Sequence, residues 1–207
     1  STGSGILLPG GAPEAAAYVD LPNGLISPLT QVTFEGWVTV NATTAWWGHF
    51  FSFGSSSPGD AAGEISGPGN TNGGSEEGLD YIALTSSRET DHNLQRFAVR
   101  NYEGGPAGEY FHDSASTTVI GQPIHFVVTV DNSTPGQMAF RYYRDGILMG
   151  VLNNIPFNLS DLNDVNNWLG RGNFTNYPHV AATFDEFRLH SRVLSAAEVE
   201  ASHLSGS

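Results

Sequence analysis

The sequence predicts an all-β domain, an antiparallel sandwich or barrel that ends in a single short helix. Short runs of alternating apolar and polar residues recur along the 207 residues, and Gly, Pro, Asn and Ser separate them. A helix-starting pattern occurs in the tail alone. Hydrophobic residues make up 39% of the chain, which is enough to bury a core without disulfides, and cysteine is absent. We therefore expect one domain that spans residues 1–207.

The first half of the chain contains five runs with strand character. In residues 33–40, alternation places Phe34 and Val38 on one face and Glu35 and Trp37 on the other. This two-sided pattern is typical of a strand that packs one face on a core. We predict strands in this half at residues 18–21, 33–40, 50–53, 80–84 and 95–100.

The second half predicts a hairpin and two further strands. In MAFRYYRDGILMGVL, residues 138–152, two strand-like runs flank Asp145 and Gly146. Asp-Gly is a strong hairpin signal, because a type I′ turn needs positive φ at both central residues. In residues 124–130, Ile124 and Phe126 begin the face that should point inward. A last short strand of this region is predicted at residues 167–169.

Residues 54–78 interrupt the alternating pattern. The segment contains eight glycines and four acids, and it has almost no apolar residue that could anchor a strand. Loops of this length are uncommon inside a domain and usually have a functional role or are mobile. We expect a long Gly-rich loop at the rim of the sandwich, because strand-like runs resume directly after it.

The tail changes from a strand to a helix within a few residues. Residues 183–190 alternate as a strand. Ser195 and Glu198 then match a capping box, in which each side chain bonds the backbone N–H of the other residue. Leu194 and Val199 have the spacing of a hydrophobic staple across this helix start. The pattern predicts a short C-terminal helix.

The charge of the chain is strongly acidic. Twenty-one carboxylates oppose eight arginines, lysine is absent, and the formal net charge is −13. Such a field repels nucleic acid and anionic membranes. The sequence also lacks an apolar run of about 18 residues. We therefore expect neither a nucleic-acid partner nor membrane insertion.

Several segments, taken in order, resemble one family. FDEFRLHSRVLSAAEVEA, residues 184–201, resembles the closing signature of laminin G-like (LamG-like) jellyroll domains of the concanavalin A-like lectin/glucanase superfamily. PIHFVVTVDN and MAFRYYRDGILMG are similar to the family's hairpin, with Ile124 in place of a Trp and Asp145 in place of an Asn. NNWLGRGNF and AYVDLP are similar to other family strands. The resemblance implies a two-sheet antiparallel jellyroll whose ligands usually bind on the concave face or at the rim.

The sequence shows no catalytic motif of this superfamily. Retaining glycosidases on the scaffold place Glu-x-Asp-x-x-Glu on one strand face, with two carboxylates about 5 Å apart. That spacing does not occur in the sequence, and neither does a complete lyase motif. The adjacent acids Asp185 and Glu186 are expected to point to opposite faces of a strand, so they cannot act on one glycosidic bond. We predict no catalytic residues.

The resemblance also implies a structural calcium ion. In glucanase-like relatives such an ion joins the last strand to the N-terminal segment through one aspartate and backbone carbonyls. Asp185 stands at the matching position, and Gly10 and Gly54 belong to turns that could supply carbonyl ligands. Calcium takes about six to eight oxygen ligands, which carbonyls, a carboxylate and waters can provide. The alternative is that Asp185 only accepts hydrogen bonds near the first strand.

Five aromatic residues are candidates for carbohydrate binding, because sugar rings pack their C–H faces on flat aromatic side chains. Trp46 and Trp47 are adjacent and cannot both enter one core, so at least one should lie near the surface. Tyr102 and Tyr110 flank a glycine-broken turn, and Tyr177 lies in a polar loop. The alternative is that Trp37, Trp168 and one of the two adjacent tryptophans fill the core, while the tyrosines cover the sheet edges.

These observations favour a binding protein. We expect a non-catalytic extracellular module, secreted or on the surface of a bacterium, that recognises carbohydrate or matrix within a larger multidomain or assembled protein. The alternative is a structural or self-assembling surface domain whose partner is a protein. A third hypothesis is that the protein is a divergent glycan-active enzyme.

Overall fold

A computed structural model describes residues 5–12, 16–43, 47–56, 78–88, 91–102, 108–174 and 177–206. Most of the predicted Gly-rich loop, and Trp46, lie outside these residues. In chain order the strands are β1 (Ile6–Gly11), β2 (Val19–Leu21), β3 (Gln31–Val40), β4 (His49–Gly54), β5 (Tyr81–Thr85), β6 (Leu94–Arg100), β7 (Glu109–Ala115), β8 (Pro123–Asp131), β9 (Met138–Arg144), β10 (Ile147–Ile155), β11 (Asn166–Leu169) and β12 (His179–His190). A short 3-10 turn (Leu159–Asp161) precedes β11, and helix α1 (Ala196–Ser205) follows β12.

The strands form two six-stranded sheets whose registered pairs are antiparallel. Sheet one has the order β1-β12-β3-β8-β9-β10, and sheet two has the order β2-β11-β4-β5-β6-β7. The two sheets pack face to face as a sandwich with one C-terminal helix, so the predicted fold is confirmed. All predicted strands are present within a few residues of their expected bounds. Strands β1 and β7 had not been predicted.

The core lies between the sheets and follows the alternation read from the sequence. Phe34, Ile124 and Phe126 of sheet one are fully buried, as predicted. Phe34 stacks on Phe51 of sheet two, with ring centroids 4.6 Å apart. Burial of each such ring is worth about 1.5–3 kcal/mol. The inward faces of the strands therefore provide most of the cohesion between the two sheets.

The predicted hairpin between β9 and β10 is confirmed. Asp145 and Gly146 both have positive φ, 51° and 78°, as a type I′ turn requires. The Asp145 carboxylate also accepts a hydrogen bond from the backbone N–H of His125 at 2.9 Å. This bond ties the turn to the neighbouring strand β8.

Helix α1 lies against the outer face of sheet one. The predicted capping box is present, because the Ser195 hydroxyl accepts from the Glu198 N–H and the Glu198 carboxylate accepts from the Ser195 N–H. Leu194 and Val199 are buried together with Val127 and Tyr143 of sheet one. The helix thus covers sheet one, while the outer face of sheet two carries the site described below.

A β-bulge at Asp185 overturns one expectation about the two adjacent acids. The pairing of β12 with β3 shifts between Phe184 and Glu186, which inserts an extra residue. Phe184 and Phe187 both contact the core, although they are three residues apart. Asp185 is exposed and Glu186 pairs with Arg188 on the outside, so the two acids do not alternate across the sheet as predicted.

Candidate functional site

A pocket opens on the outer face of sheet two. The pocket forms above Ala83 and Ala98, which pair with each other on the neighbouring strands β5 and β6. Their side chains are small, so they leave an open space between the larger side chains around them. On the same strands, Ile82 and Phe97 point the other way into the core. The described part of the pocket has a volume of about 210 Å³. Its lining consists of Trp47, His49, Tyr81, Ala83, Thr85, Arg96, Ala98, Arg100, Glu109, Phe174 and Tyr177.

One wall of the pocket is a set of nearly parallel aromatic rings. Phe174 and Tyr177, in the connection between β11 and β12, stack with centroids 4.7 Å apart and planes 24° apart. Trp47, in the connection between β3 and β4, stacks on Tyr177 at 6.1 Å and 17°. Tyr81 meets Phe174 at 5.3 Å from the floor side. Residues from three separate segments therefore form one cluster of aromatic rings, in which Trp47, Tyr177 and Phe174 are stacked and Tyr81 is tilted by 58° against Phe174.

His49 supports this wall from below. Its ring stacks on Phe174 at 5.7 Å and on Tyr177 at 6.2 Å. Burial lowers the pKa of His49 to about 4, so the ring is neutral at physiological pH. Gly172 makes room for it, because a Cβ at that position would lie 2.5 Å from His49 Nδ1. His49 therefore behaves as an uncharged aromatic spacer.

The side of the pocket next to Trp47 and Tyr81 carries charged groups. The Glu109 carboxylate accepts a hydrogen bond from the Tyr81 hydroxyl at 2.8 Å and another from Arg96 Nη1 at 2.9 Å. Burial and the nearby Glu109 charge raise the pKa of Tyr81, so its hydroxyl stays protonated and can donate. Arg96 also binds both oxygens of Asp113, at 2.8 and 2.9 Å. The network holds these side chains in fixed positions beside the aromatic wall.

Arg100 forms the end of the charged side. Its Nη1 donates to the backbone oxygen of Gly78 at 3.2 Å. The Tyr102 ring lies 5.1 Å from its guanidinium carbon. Tyr102 is half exposed and does not line the described pocket, but it contacts a residue that does. It lies next to the pocket and not in it.

The structure brings together two of the five aromatic residues predicted to bind carbohydrate. Trp47 and Tyr177 stack on each other in the pocket wall. Trp46 lies outside the described residues. Tyr110 points away from the pocket and packs on Phe157 at 6.1 Å, because it alternates with the outward-facing Glu109 on β7. We therefore do not include Tyr110 in the candidate site.

The residues predicted to bind calcium do not converge on one point. Asp185 lies beside Gly5, because Ile6 pairs with Phe184, whereas Gly10 lies beside Ala181. Five strand residues separate those two positions along β1, which corresponds to about 16 Å. Gly54 belongs to sheet two and pairs with Tyr81. Calcium binding remains a prediction, and among the described residues no group of three His, Cys, Asp or Glu side chains is arranged to hold a metal ion.

Sequence reasoning missed Tyr81, Arg96 and Arg100 as site residues. The signal was present in LQRFAVR, where Arg96 and Arg100 alternate with Phe97 and Val99. In a chain with eight basic residues, two arginines on one strand face are a notable concentration of positive charge. The local pattern does not show which aromatic residues face them, because that depends on the pairing of distant strands.

The fold and the sequence together define the class of protein. Residues 13–200 match a family model described as the concanavalin A-like lectin/glucanases superfamily. The chain therefore belongs to this superfamily, and the matching family within it is Laminin_G_3. The resemblance stated from the sequence is confirmed. No curated protein sequence matches the chain.

Solved structures of other proteins share the fold. The CBM40 domain of Ruminococcus gnavus IT-sialidase, bound to α2,3-sialyllactose, has a TM-score of 0.60 and 16% identity, with 93% of this chain and 100% of that chain covered. Domain 4 of AbnA, a GH43 extracellular arabinanase from Geobacillus stearothermophilus, in complex with arabinotriose, has a TM-score of 0.60 and 18% identity, covering 90% and 72%. At these identities the likeness shows the fold alone.

A third similar structure is a much longer protein. The NanB sialidase from Streptococcus pneumoniae has a TM-score of 0.64 and 16% identity, and the match covers 96% of this chain but 28% of that one. The similarity therefore concerns one part of that sialidase. Among the described residues of the present chain, no helix is long and apolar enough to cross a membrane.

Proposed function

We propose that this chain is a non-catalytic carbohydrate-binding module and that the pocket on sheet two is its binding site. The observation that carries the proposal is the cluster of stacked rings of Trp47, Phe174 and Tyr177 beside the charged groups of Arg96 and Glu109 in one pocket. Aromatic rings pack against the C–H faces of a sugar, and fixed polar groups beside them bond its hydroxyls. The two carbohydrate-bound domains of the same fold support this reading.

The arrangement of carboxylates favours binding over catalysis. Glycoside hydrolysis uses two carboxyl groups that flank the scissile bond, about 5 to 9.5 Å apart. Among the described residues that line the pocket, Glu109 is the only carboxylate, and both its oxygens accept hydrogen bonds within the protein. Asp113 is likewise occupied by Arg96 and by Arg88. These contacts hold both acids in place, and among the described lining residues Glu109 has no second carboxylate to act with.

We further infer that the module acts outside the cell, secreted or on a bacterial surface, as part of a larger protein. The similar arabinanase domain comes from an extracellular enzyme, and the similar sialidases contain this fold as one part. The absence of cysteine and the net charge of −13 are compatible with such a location.

A glycan array tests the proposal. The array should include sialylated and desialylated glycans and arabinan oligosaccharides, and the proteins should be wild type, Trp47→Ala and Tyr177→Ala. Loss of an aromatic anchor should weaken binding roughly tenfold, since such residues contribute on the order of 1–2 kcal/mol or more. Ile147→Ala, an exposed apolar change on sheet one, should leave binding unaltered.

Three outcomes would contradict the proposal. Equal binding by the wild type and both aromatic variants would place the ligand elsewhere on the molecule. An absence of glycan binding, together with concentration-dependent association in light scattering, would favour a self-assembling surface domain. Release of reducing sugar from a polysaccharide panel would show catalysis.

A further inference from the structure

Arg96 occupies an unusual position at the junction of the two sides of the pocket. Its N–H groups bond both oxygens of Asp113 and one oxygen of Glu109, all at 2.8–2.9 Å. A two-pronged bond to a carboxylate fixes the plane of a guanidinium group as well as its location. The Arg96 side chain is also 13% exposed, so little of it is open to solvent. Its orientation is therefore set by the protein before any ligand arrives.

Both aromatic neighbours of Arg96 lie close to its guanidinium group. The Phe111 ring centroid is 3.7 Å from the guanidinium carbon, and the Trp47 ring centroid is 5.0 Å from it. A guanidinium near an aromatic face is attracted to the electron-rich ring. Arg96 thus connects Phe111, on strand β7, with Trp47, in a loop.

The backbone of Trp47 has a strained conformation that surrounding contacts must hold. Its backbone has a φ of 30°, in the left-handed region that a bulky residue rarely adopts. Strained conformations of this kind cost on the order of 1–3 kcal/mol and persist when surrounding contacts hold them. The described ring contacts of Trp47 are the stack on Tyr177 and the contact with Arg96. Of these two partners, Arg96 is the one anchored to a strand.

We propose that Arg96 is a positioning residue that holds the Trp47 ring in the orientation needed to bind a sugar. The proposal rests on the function inferred above, and it assigns to Arg96 a role that acts through Trp47. An ordered binding surface loses less conformational freedom when a ligand binds, which increases affinity. The contacts of Arg96 favour this role, because three of its N–H groups already bond Asp113 and Glu109.

The test compares three arginine variants in the ligand-free and the glycan-bound protein. Arg96→Gln removes the stacked charge, Arg96→Lys keeps the charge but loses the planar fork, and Arg88→Gln is the matched control. Arg88 also forms an ion pair with Asp113, with 2.9 Å between Nε and Oδ2, but it does not line the pocket. The readouts are the indole N–H resonance of Trp47, assigned with Trp47→Phe, and the Kd for a glycan identified on the array.

Both Arg96 variants should shift or broaden the Trp47 resonance without ligand and should raise Kd about two- to fivefold, as expected for one cation–π contact. Arg88→Gln should change neither. An unmoved Trp47 resonance in a folded Arg96→Lys protein would overturn the proposal, as would an equal effect of Arg88→Gln. Because the resonance is measured without ligand, it decides the role of Arg96 even if no glycan binds.

Discussion

At the scale of single residues, Glu35 shows how an acid can be buried on the outer face of a strand. The sequence placed Glu35 opposite the core, where an acid is usually solvated. In the structure helix α1 covers it, and it is 2% exposed. Its oxygens accept hydrogen bonds from His125 at 3.1 Å, from His190 at 2.7 Å and from Ser202. The carboxylate therefore links strands β8 and β12 to the helix.

This arrangement predicts a pH dependence of stability. Hydrogen bonding, first of all from His125, lowers the pKa of Glu35 to about 2, below its ordinary value of 4.5. The stabilisation by ionised Glu35 should be fully present above about pH 4.5 and should disappear as the pH falls through 2. Glu35→Gln should therefore lower the free energy of unfolding on the order of 3 kcal/mol at pH 7, and much less near pH 2.

Denaturant unfolding of the variant and the wild type between pH 2 and 7 measures this dependence. Glu200→Gln, an exposed acid on the same helix, is the control and should show little difference from wild type at any pH. A penalty for Glu35→Gln that stays constant over the whole range would show that the charge of Glu35 is not the source of its contribution.

At the scale of elements, the paired strands β5 and β6 form the pocket because they carry small side chains on the face beneath the aromatic rings. Ala83 and Ala98 face each other beneath the aromatic wall, and both are buried against Tyr81 and Phe174. A larger side chain there would take up the space of a ligand or displace those rings. The shape of the site therefore depends on two small residues that make no polar contact with a ligand.

Ala98→Val should reduce glycan affinity strongly, by about tenfold or more, because the added methyl groups enter the pocket. Calorimetry or fluorescence titration measures the affinity, and the melting temperature reports the fold. Ala139→Val, the same change on β9 of sheet one, should retain wild-type affinity. If Ala98→Val bound glycan as tightly as the wild type, the ligand would not occupy this pocket.

Strand β12 has one feature that its local sequence pattern predicts and one that it does not. Its alternation and the following capping box were readable in the sequence, and both are present. The bulge at Asp185 was not readable, because an inserted residue is defined by the register of a neighbouring strand. Because of the bulge, Phe184 and Phe187 both face the core, although residues three apart in a regular strand face opposite sides.

At the scale of the whole molecule, the sequence predicted the fold much better than the site. Alternation placed Phe34 and Phe126 correctly, because a half-buried strand carries its burial pattern within a few residues. The pocket required Trp47, Arg96 and Tyr177 to meet, and they come from distant parts of the chain. Their meeting depends on the order of strands in sheet two, which no short segment encodes.

The calcium prediction also concerns the whole molecule, because such an ion would tie the last strand to the N-terminal segment. If calcium binds at Asp185 as predicted from the sequence, treatment with EDTA should lower the melting temperature, calcium should restore it, and Asp185→Asn should abolish the response. Glu186→Gln, at the neighbouring acid, should keep the response. Metal-free wild-type protein that melts at the same temperature with and without calcium would exclude the site.

The residues that line the pocket belong partly to strands and partly to loops. The floor residues Ala83 and Ala98 sit on strands whose opposite faces build the core, whereas Trp47 and Tyr177 belong to connections. Loops tolerate replacement far more readily than strands do. If the pocket binds glycan as proposed, exchanging Trp47 or Tyr177 should alter which glycan is bound without changing the sandwich. The fold and the proposed specificity would then depend on separate stretches of one chain.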